Sequence, residues 1–287
     1  MVFSHLYKNT SRAAISFEVF PPKNPEGLLQ LHNTLDAIVT LKPAMLTVTY
    51  GAMGSTQNLT QDLVIEFRKK FQLPVASHLT CVGASRNSIR TYVQRLIDND
   101  VRDVVALRGD IPSDQAGSVF GDFTHAKDLV AFIRSEFPML DMVVAGYPEK
   151  HVQATDLATD IQFLKSKVDA GASAVVTQLF YNNDDFYRFR ERCIQAGITV
   201  PIVPGIMPIT SFKQVLRITS MCGAVLPASL LKSLEQKQAD TYAMQQLGIN
   251  WAIAQSKDLL KQGVPGIHYY VLNRAEAAQR IMEAIST

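Results

Sequence analysis

The chain lacks the marks of several function classes. Its 287 residues hold three cysteines, Cys81, Cys193 and Cys222, widely spaced, with no C-x-x-C pair and no Cys/His cluster. A structural zinc site needs close-set ligands of that kind, so no metal is expected. So sparse and odd a count suits small core hydrophobes in a reducing cytoplasm. The formal net charge is only +2, and no Lys/Arg run forms a stripe, which argues against a nucleic-acid surface. No apolar run approaches a membrane span, and Met1 to Thr10 holds no signal-peptide core. A soluble, cytoplasmic protein is expected. No G-x-G-x-x-G turn follows an early strand, no G-x-S-x-G elbow occurs, and no cysteine sits at a clear strand end beside a histidine.

What is present is a recurring pattern: apolar runs that end in polar or charged residues. They include Ile15 to Phe20 with Glu18, Leu46 to Gly51 with Thr49, and Val75 to Thr80 with His78. Val104 to Asp110 ends in Arg108-Gly109-Asp110, Val143 runs to Tyr147, and Val175 runs to Gln178. Val200 to Met207 and Ile267 to Leu272 read as the last two strands. Helical spacing fills the intervals at Glu26–Leu41, Ser85–Asn99, Asp156–Ala170, Asp184–Ala196 and Ser211–Met221, with a closing helix at Ala275–Ile285. Ser85 is the expected N-cap of its helix, and Gly171 and Gly197 are the expected stops. Strands alternating with helices, about eight times, predict a single α/β domain, a (β/α)8 barrel. A doubly wound open sheet is the rival. The order breaks once, between Met221 and Gly266, where a two-helix insert is expected before the last strand.

In such a barrel, chemistry gathers at the C-terminal ends of the strands. Glu18 is flanked by Phe17, Val19 and Phe20; burial there raises a carboxyl pKa and suits a general acid. The plainer alternative is a strand-end carboxylate in water or paired with an arginine. Arg108 and Asp110 flank a glycine, either as anion and ring contacts or as a turn with a local ion pair. His78 is a base, a ligand contact or a hydrogen-bonded structural residue. His151 lies in the loop after the fifth strand, and Asp160 and Lys167 lie on the following helix, whose default is a solvated face. Gln178, in an apolar strand, needs a hydrogen-bonded partner. One acid with scattered cations and amides suits a cofactor enzyme better than a hydrolase.

The same segments resemble the methylenetetrahydrofolate reductases. The shared text includes Ser16-Phe17-Glu18, Val48-Thr49-Tyr50-Gly51-Ala52, His78-Leu79-Thr80-Cys81 and Ala106-Leu107-Arg108-Gly109-Asp110. It continues through Tyr147-Pro148-Glu149, Lys167 to Ala172, Thr177-Gln178, Pro204 to Pro208 and Leu272-Asn273-Arg274-Ala275-Glu276. The resemblance implies FAD as cofactor, NADH or NADPH as donor, and a reduced folate as substrate, with a place in methionine biosynthesis. It implies Glu18 as the acid, with Asp110 beside the flavin and pterin. Thr49, His78, Arg108, Gly109, Asp110, Tyr147, His151, Asp160 and Lys167 match cofactor positions. Thr49, Gln178, Gln214 and Arg274, together with Glu18 and Asp110, match substrate positions. Ile218, Ser166 and Phe163 depart from the pattern: the first replaces a stacking aromatic, the others polar cofactor contacts. A homo-oligomer of the catalytic domain alone is expected. A flavin barrel for another substrate, of the proline dehydrogenase kind, and a subunit fed electrons by a partner protein are the alternatives.

Overall fold

The computed structural model describes residues 3–8, 12–50, 57–110 and 121–286. Its strands are β1 (Ala14–Val19), β2 (Met45–Val48), β3 (Val75–Thr80), β4 (Asp103–Leu107), β5 (Asp141–Gly146), β6 (Ala174–Leu179), β7 (Ile202–Ile206) and β8 (Gly266–Tyr270). They are parallel, follow chain order and close into a barrel. β1 pairs with β8, Ser16 opposite His268 and Glu18 opposite Tyr270. That pairing leaves no open edge and removes the doubly wound alternative.

The helices are α1 (Phe3–Leu6), α2 (Pro25–Val39), α3 (Gln57–Phe71), α4 (Arg86–Asp98), α5 (Ala126–Glu136), α6 (Leu157–Asp169), α7 (Asn183–Gln195), α8 (Phe212–Cys222), α9 (Ala228–Lys237), α10 (Thr241–Lys261) and α11 (Ala275–Ile285). α9 and α10 are the expected insert. α3 and α5 fill crossovers whose periodicity is less plain. Two buried positions of α3 are polar, Thr60 and Gln61, and the apolar stripe of α5 is confined to Leu129, Val130, Phe132 and Ile133. Local chemistry sets the helix starts. Asn24, Ser85, Asp156, Ser211 and Asp240 each accept a hydrogen bond from a backbone N–H of the first turn.

Period-two alternation sorts the strand residues. Phe17, Leu46, Val75, Leu79, Val104, Met142, Val175, Ile202, Ile267 and Tyr269 belong to the large core between barrel and helices. Ala14, Met45, Ala76, Val105, Val143, Ala174 and Val203 form a separate buried layer with Phe3 of α1 and Tyr7 just after it. This is the floor of the barrel, plugged from below by α1. Two residues further along β1, β2, β3 and β8 the inward series becomes polar, with Ser16 then Glu18, Thr47, His78 and His268, whereas β4 to β7 stay apolar there with Leu107, Ala145, Val176 and Gly205.

Candidate active site

Two cavities open above that floor. The larger, about 530 Å³, is lined among others by Tyr50, Thr80, Arg108, Gly109, Asp110, His151, Asp160 and Lys167. The smaller, about 320 Å³, is lined by Glu18, Thr47, Gln178, Ile218, His268 and Tyr270, with Phe3 at its base. His78, Leu107, Ala145 and Tyr147 line both, so the cavities share a wall. Most of the residues expected at cofactor and substrate positions, drawn from distant parts of the chain, therefore meet at the strand ends. Ser166 and Phe163 also line the larger cavity, Phe163 with 57% of its surface exposed. Thr49, Gln214 and Arg274 are not among the described lining residues. Thr49 follows β2 with its N–H on Val19 O, Gln214 caps onto Ser211 Oγ in α8, and Arg274 is the N-cap of α11. Gly51 and Ala52 of the shared text lie outside the described residues.

Glu18 is held between two imidazoles. Its Oε2 is 3.1 Å from His78 Nε2 and 3.4 Å from His268 Nε2. The geometry follows from register: His268 reaches from β8 on one side of β1, and His78 from β3 across β2 on the other. His268 is fixed in turn, its Nδ1 2.8 Å from Ser16 Oγ, which lies 3.4 Å from Tyr7 OH. Burial pushes the Glu18 carboxyl upward, but the charges and hydrogen bonds of His78 and His268 outweigh it and bring the pKa from 4.5 down to about 2. The expectation of a raised pKa is thereby corrected: apolar neighbours along the strand do not decide it, because two histidines distant in sequence do. The arginine partner of the alternative reading is likewise replaced by histidine.

The larger cavity carries the cations. Arg108 donates from Nη2 to Gln153 Oε1 at 2.6 Å and from Nε to Gly109 O at 3.3 Å. Lys167 is not on a solvated helix face. Its Nζ points inward and donates to Ala145 O at 2.7 Å, and burial, partly offset by Asp160, lowers its pKa to about 8. Asp160 is also buried and accepts from the His151 N–H at 3.0 Å, so it shapes the loop that carries His151. The His151 ring packs edge-on against Tyr147 at 4.6 Å, and burial lowers the imidazole pKa. Gly109 has φ +88°, and a Cβ there would meet Thr80 and Val82 at 3.0 Å, so only glycine lets the chain turn so close to β3. Gln178 turns its Oε1 to the N–H of Leu179 at 2.9 Å while lining the smaller cavity. Thr47 Oγ1 is buried there without a partner among the described residues.

Ser16, Thr47, Gln153, His268 and Tyr270 are site residues not singled out from the residue pattern. His268, an imidazole inside the apolar run Gly266–Tyr270, was the readable signal. Cys81, contrary to expectation, stands just past β3, three residues after His78. It is fully buried, and burial pushes its thiol up to about 11, so it is no nucleophile.

The closed (β/α)8 frame, with an imidazole-held carboxylate in one cavity and cations in the adjoining one, defines a barrel of the enzyme type with two adjoining cavities at its C-terminal face. The chain belongs to the methylenetetrahydrofolate reductase family, whose model matches residues 4–286. It is 37% identical over 271 residues to the 5,10-methylenetetrahydrofolate reductase of Salmonella typhimurium, covering 94% of this chain and 90% of the relative. It is 38% identical to methylenetetrahydrofolate reductase (NADH) 1 of Arabidopsis thaliana, covering 94% of this chain and 48% of that longer protein. In fold it is similar to a Clostridium thermocellum protein that binds two copies of 5-methyl-5,6,7,8-tetrahydrofolic acid, with TM-score 0.67, 17% identity and 95% and 93% of the two chains covered. Among the described residues no helix is long and apolar enough to cross a membrane.

Proposed function

We propose that the protein reduces 5,10-methylenetetrahydrofolate to 5-methyltetrahydrofolate, using FAD and a reduced nicotinamide, NADH, in a ping-pong cycle. The observation that carries this reading is Glu18 in the smaller cavity, held by His268 and by His78, which also lines the larger one. NADH is favoured as donor by the name of the plant relative.

The larger cavity suits FAD in its donor set. Arg108 and the inward Lys167 would hold the diphosphate, and the glycine at 109 leaves the backbone open to a ring. When bound, the flavin carries hydride from the nicotinamide to the folate. Asp110, exposed at the mouth, accepts hydrogen bonds from the pterin, and Gln178 with the unpartnered Thr47 hydroxyl supplies polar contacts in the smaller cavity. Gln214 on α8 and Arg274 at the start of α11 line neither cavity, and Arg274 would be a cation for the folate tail.

Glu18 and its two imidazoles hold the reaction's proton as one coupled group. Alone the carboxylate is ionised at neutral pH. A ring seated over it removes its remaining exposure, which strengthens desolvation, the one influence that favours the neutral acid. The proton then passes from Glu18 Oε to the folate nitrogen that leaves the methylene bridge, and the resulting iminium carbon accepts hydride. The reading also makes the enzyme a cytoplasmic homo-oligomer, consistent with its three free cysteines.

The test is anaerobic. NADH or NADPH is added to the flavin-loaded protein, and methylenetetrahydrofolate follows. Bleaching by NADH and recovery of the yellow form by folate are expected. Bleaching with no recovery points to another substrate, and no bleaching by either nucleotide points to a partner protein as donor.

A further inference from the structure

The turn from β8 into α11 is strained. Leu272 has φ +49° and Asn273 φ +55°, two successive non-glycine residues in the left-handed region. For leucine this conformation is unfavourable, and it persists only where surrounding contacts determine it. Those contacts converge on Asn273. Its Oδ1 accepts from the N–H of Phe20 at 3.0 Å, and its Nδ2 donates to the carbonyl of Phe20 at 2.9 Å. Thr34 Oγ1 from α2 donates to the Asn273 carbonyl at 3.1 Å.

One side-chain amide thus pairs with both backbone groups of Phe20. Regular pairing of β1 with β8 ends at Glu18 and Tyr270, and the Asn273 amide supplies one more rung above it. Asparagine suits the task twice over. It offers donor and acceptor on one planar group, and it tolerates left-handed φ better than other side chains. The rung fixes two residues that continue the inward series. Phe20 follows Ala14, Ser16 and Glu18; Leu272 follows His268 and Tyr270. Both line the smaller cavity. Among its described lining residues, Phe20 is the large apolar side chain left 40% exposed. Ile218 on α8, which lines the same cavity, offers no aromatic face.

We propose that Asn273 is a positioning residue that holds Phe20 over the Glu18 cavity, and that the Phe20 ring is a contact for the flat ring system of the folate substrate. This rests on the function proposed above. An aromatic ring laid on the substrate both retains it and shields the acid from water.

Flavin-loaded protein reduced by NADH is reoxidised with varied methylenetetrahydrofolate. Phe20→Ala is expected to raise the half-saturating folate concentration about tenfold, the weight of one good ring contact. Asn273→Gly keeps the turn accessible but deletes the amide, and it should give a similar rise. The double variant should be no worse than Phe20→Ala alone, because both changes remove the same contact. Effects that multiply would overturn the link between the two residues. Hydrogen exchange at the Phe20 N–H should quicken in Asn273→Gly and stay unchanged in Phe20→Ala; unaltered exchange in the glycine variant would overturn the clamp. Should Asn273→Gly fail to fold, Asn273→Asp keeps the acceptor for the Phe20 N–H, loses the donor, and should give a smaller rise of the same kind. Wild-type protein that takes electrons from NADH yet never passes them to folate sinks the functional reading and the ring contact with it. Wild-type turnover with normal saturation in Phe20→Ala sinks the ring contact alone.

Discussion

At the scale of single residues, charge decides the site. Glu18→Gln keeps the shape of the carboxyl and loses its proton chemistry. It should still allow flavin reduction by NADH but abolish reoxidation by folate, as stopped-flow absorbance will read; retained folate activity would reassign the acid. The same carboxyl tunes stability. Its pKa is depressed from 4.5 to about 2, so its stabilising effect is fully present above 4.5 and is lost as pH falls toward about 2. Acid unfolding of wild-type protein should show this dependence, and Glu18→Gln should lack it. Lys167 gives a slope of the same sign at higher pH, although there the shift costs stability at neutral pH instead of adding it. Its pKa of about 8 lies below the ordinary 10.5, so the unfolded chain holds more protons in that window and stability rises with pH through it. A bound dianion favours the charged amine. Flavin affinity should therefore fall as pH rises through about 8, and Lys167→Met should weaken binding and abolish the fall, as flavin fluorescence titration will measure. Only part of this was legible in sequence. Glu18, His78 and Arg108 stood out as polar strand ends, whereas Lys167 looked like an ordinary surface lysine until the turn of α6 aimed it inward.

Elements carry the site by phase. A strand turns alternate residues inward, so Ser16 and Glu18 on β1, or His268 and Tyr270 on β8, share one face. The cap at Ser85 and the glycine stops were readable because they act within one turn of helix. α1 was not: four residues hold no periodicity to read, and the helix is defined by what it covers. Phe3 is fully buried in the floor layer and lines the base of the Glu18 cavity. Phe3→Ala should cost about 3 kcal/mol of stability, as typical for a buried ring with a cavity left behind. Denaturant unfolding will measure it, and a loss well below about 1 kcal/mol would mean that the floor does not need its plug.

At the scale of the whole molecule, closure makes the active site. Glu18 and His268 are 250 residues apart and meet because β1 pairs with β8. His268→Gln removes one of the two imidazoles that stabilise the carboxylate. The Glu18 pKa should move up from about 2 toward its ordinary value, and the acid-dependent loss of stability should shrink accordingly. Carboxyl titration by NMR checks this; an unmoved value would assign the depression to His78 alone.

The sequence by itself determined the number and order of the strands, most of the helices and their caps, the two-helix insert and the family. These depend on periodicity, turn chemistry and local text, all short-range. It also marked which strand ends bear polar and charged side chains. Only the tertiary structure decided the ionisation of Glu18, the inward path of Lys167, the plug of the barrel by α1 and the clamp of Asn273 on Phe20. Each of these depends on which groups from remote segments become neighbours when the barrel closes. A pKa or a cavity wall is set by neighbours in space, and no reading along the chain supplies them.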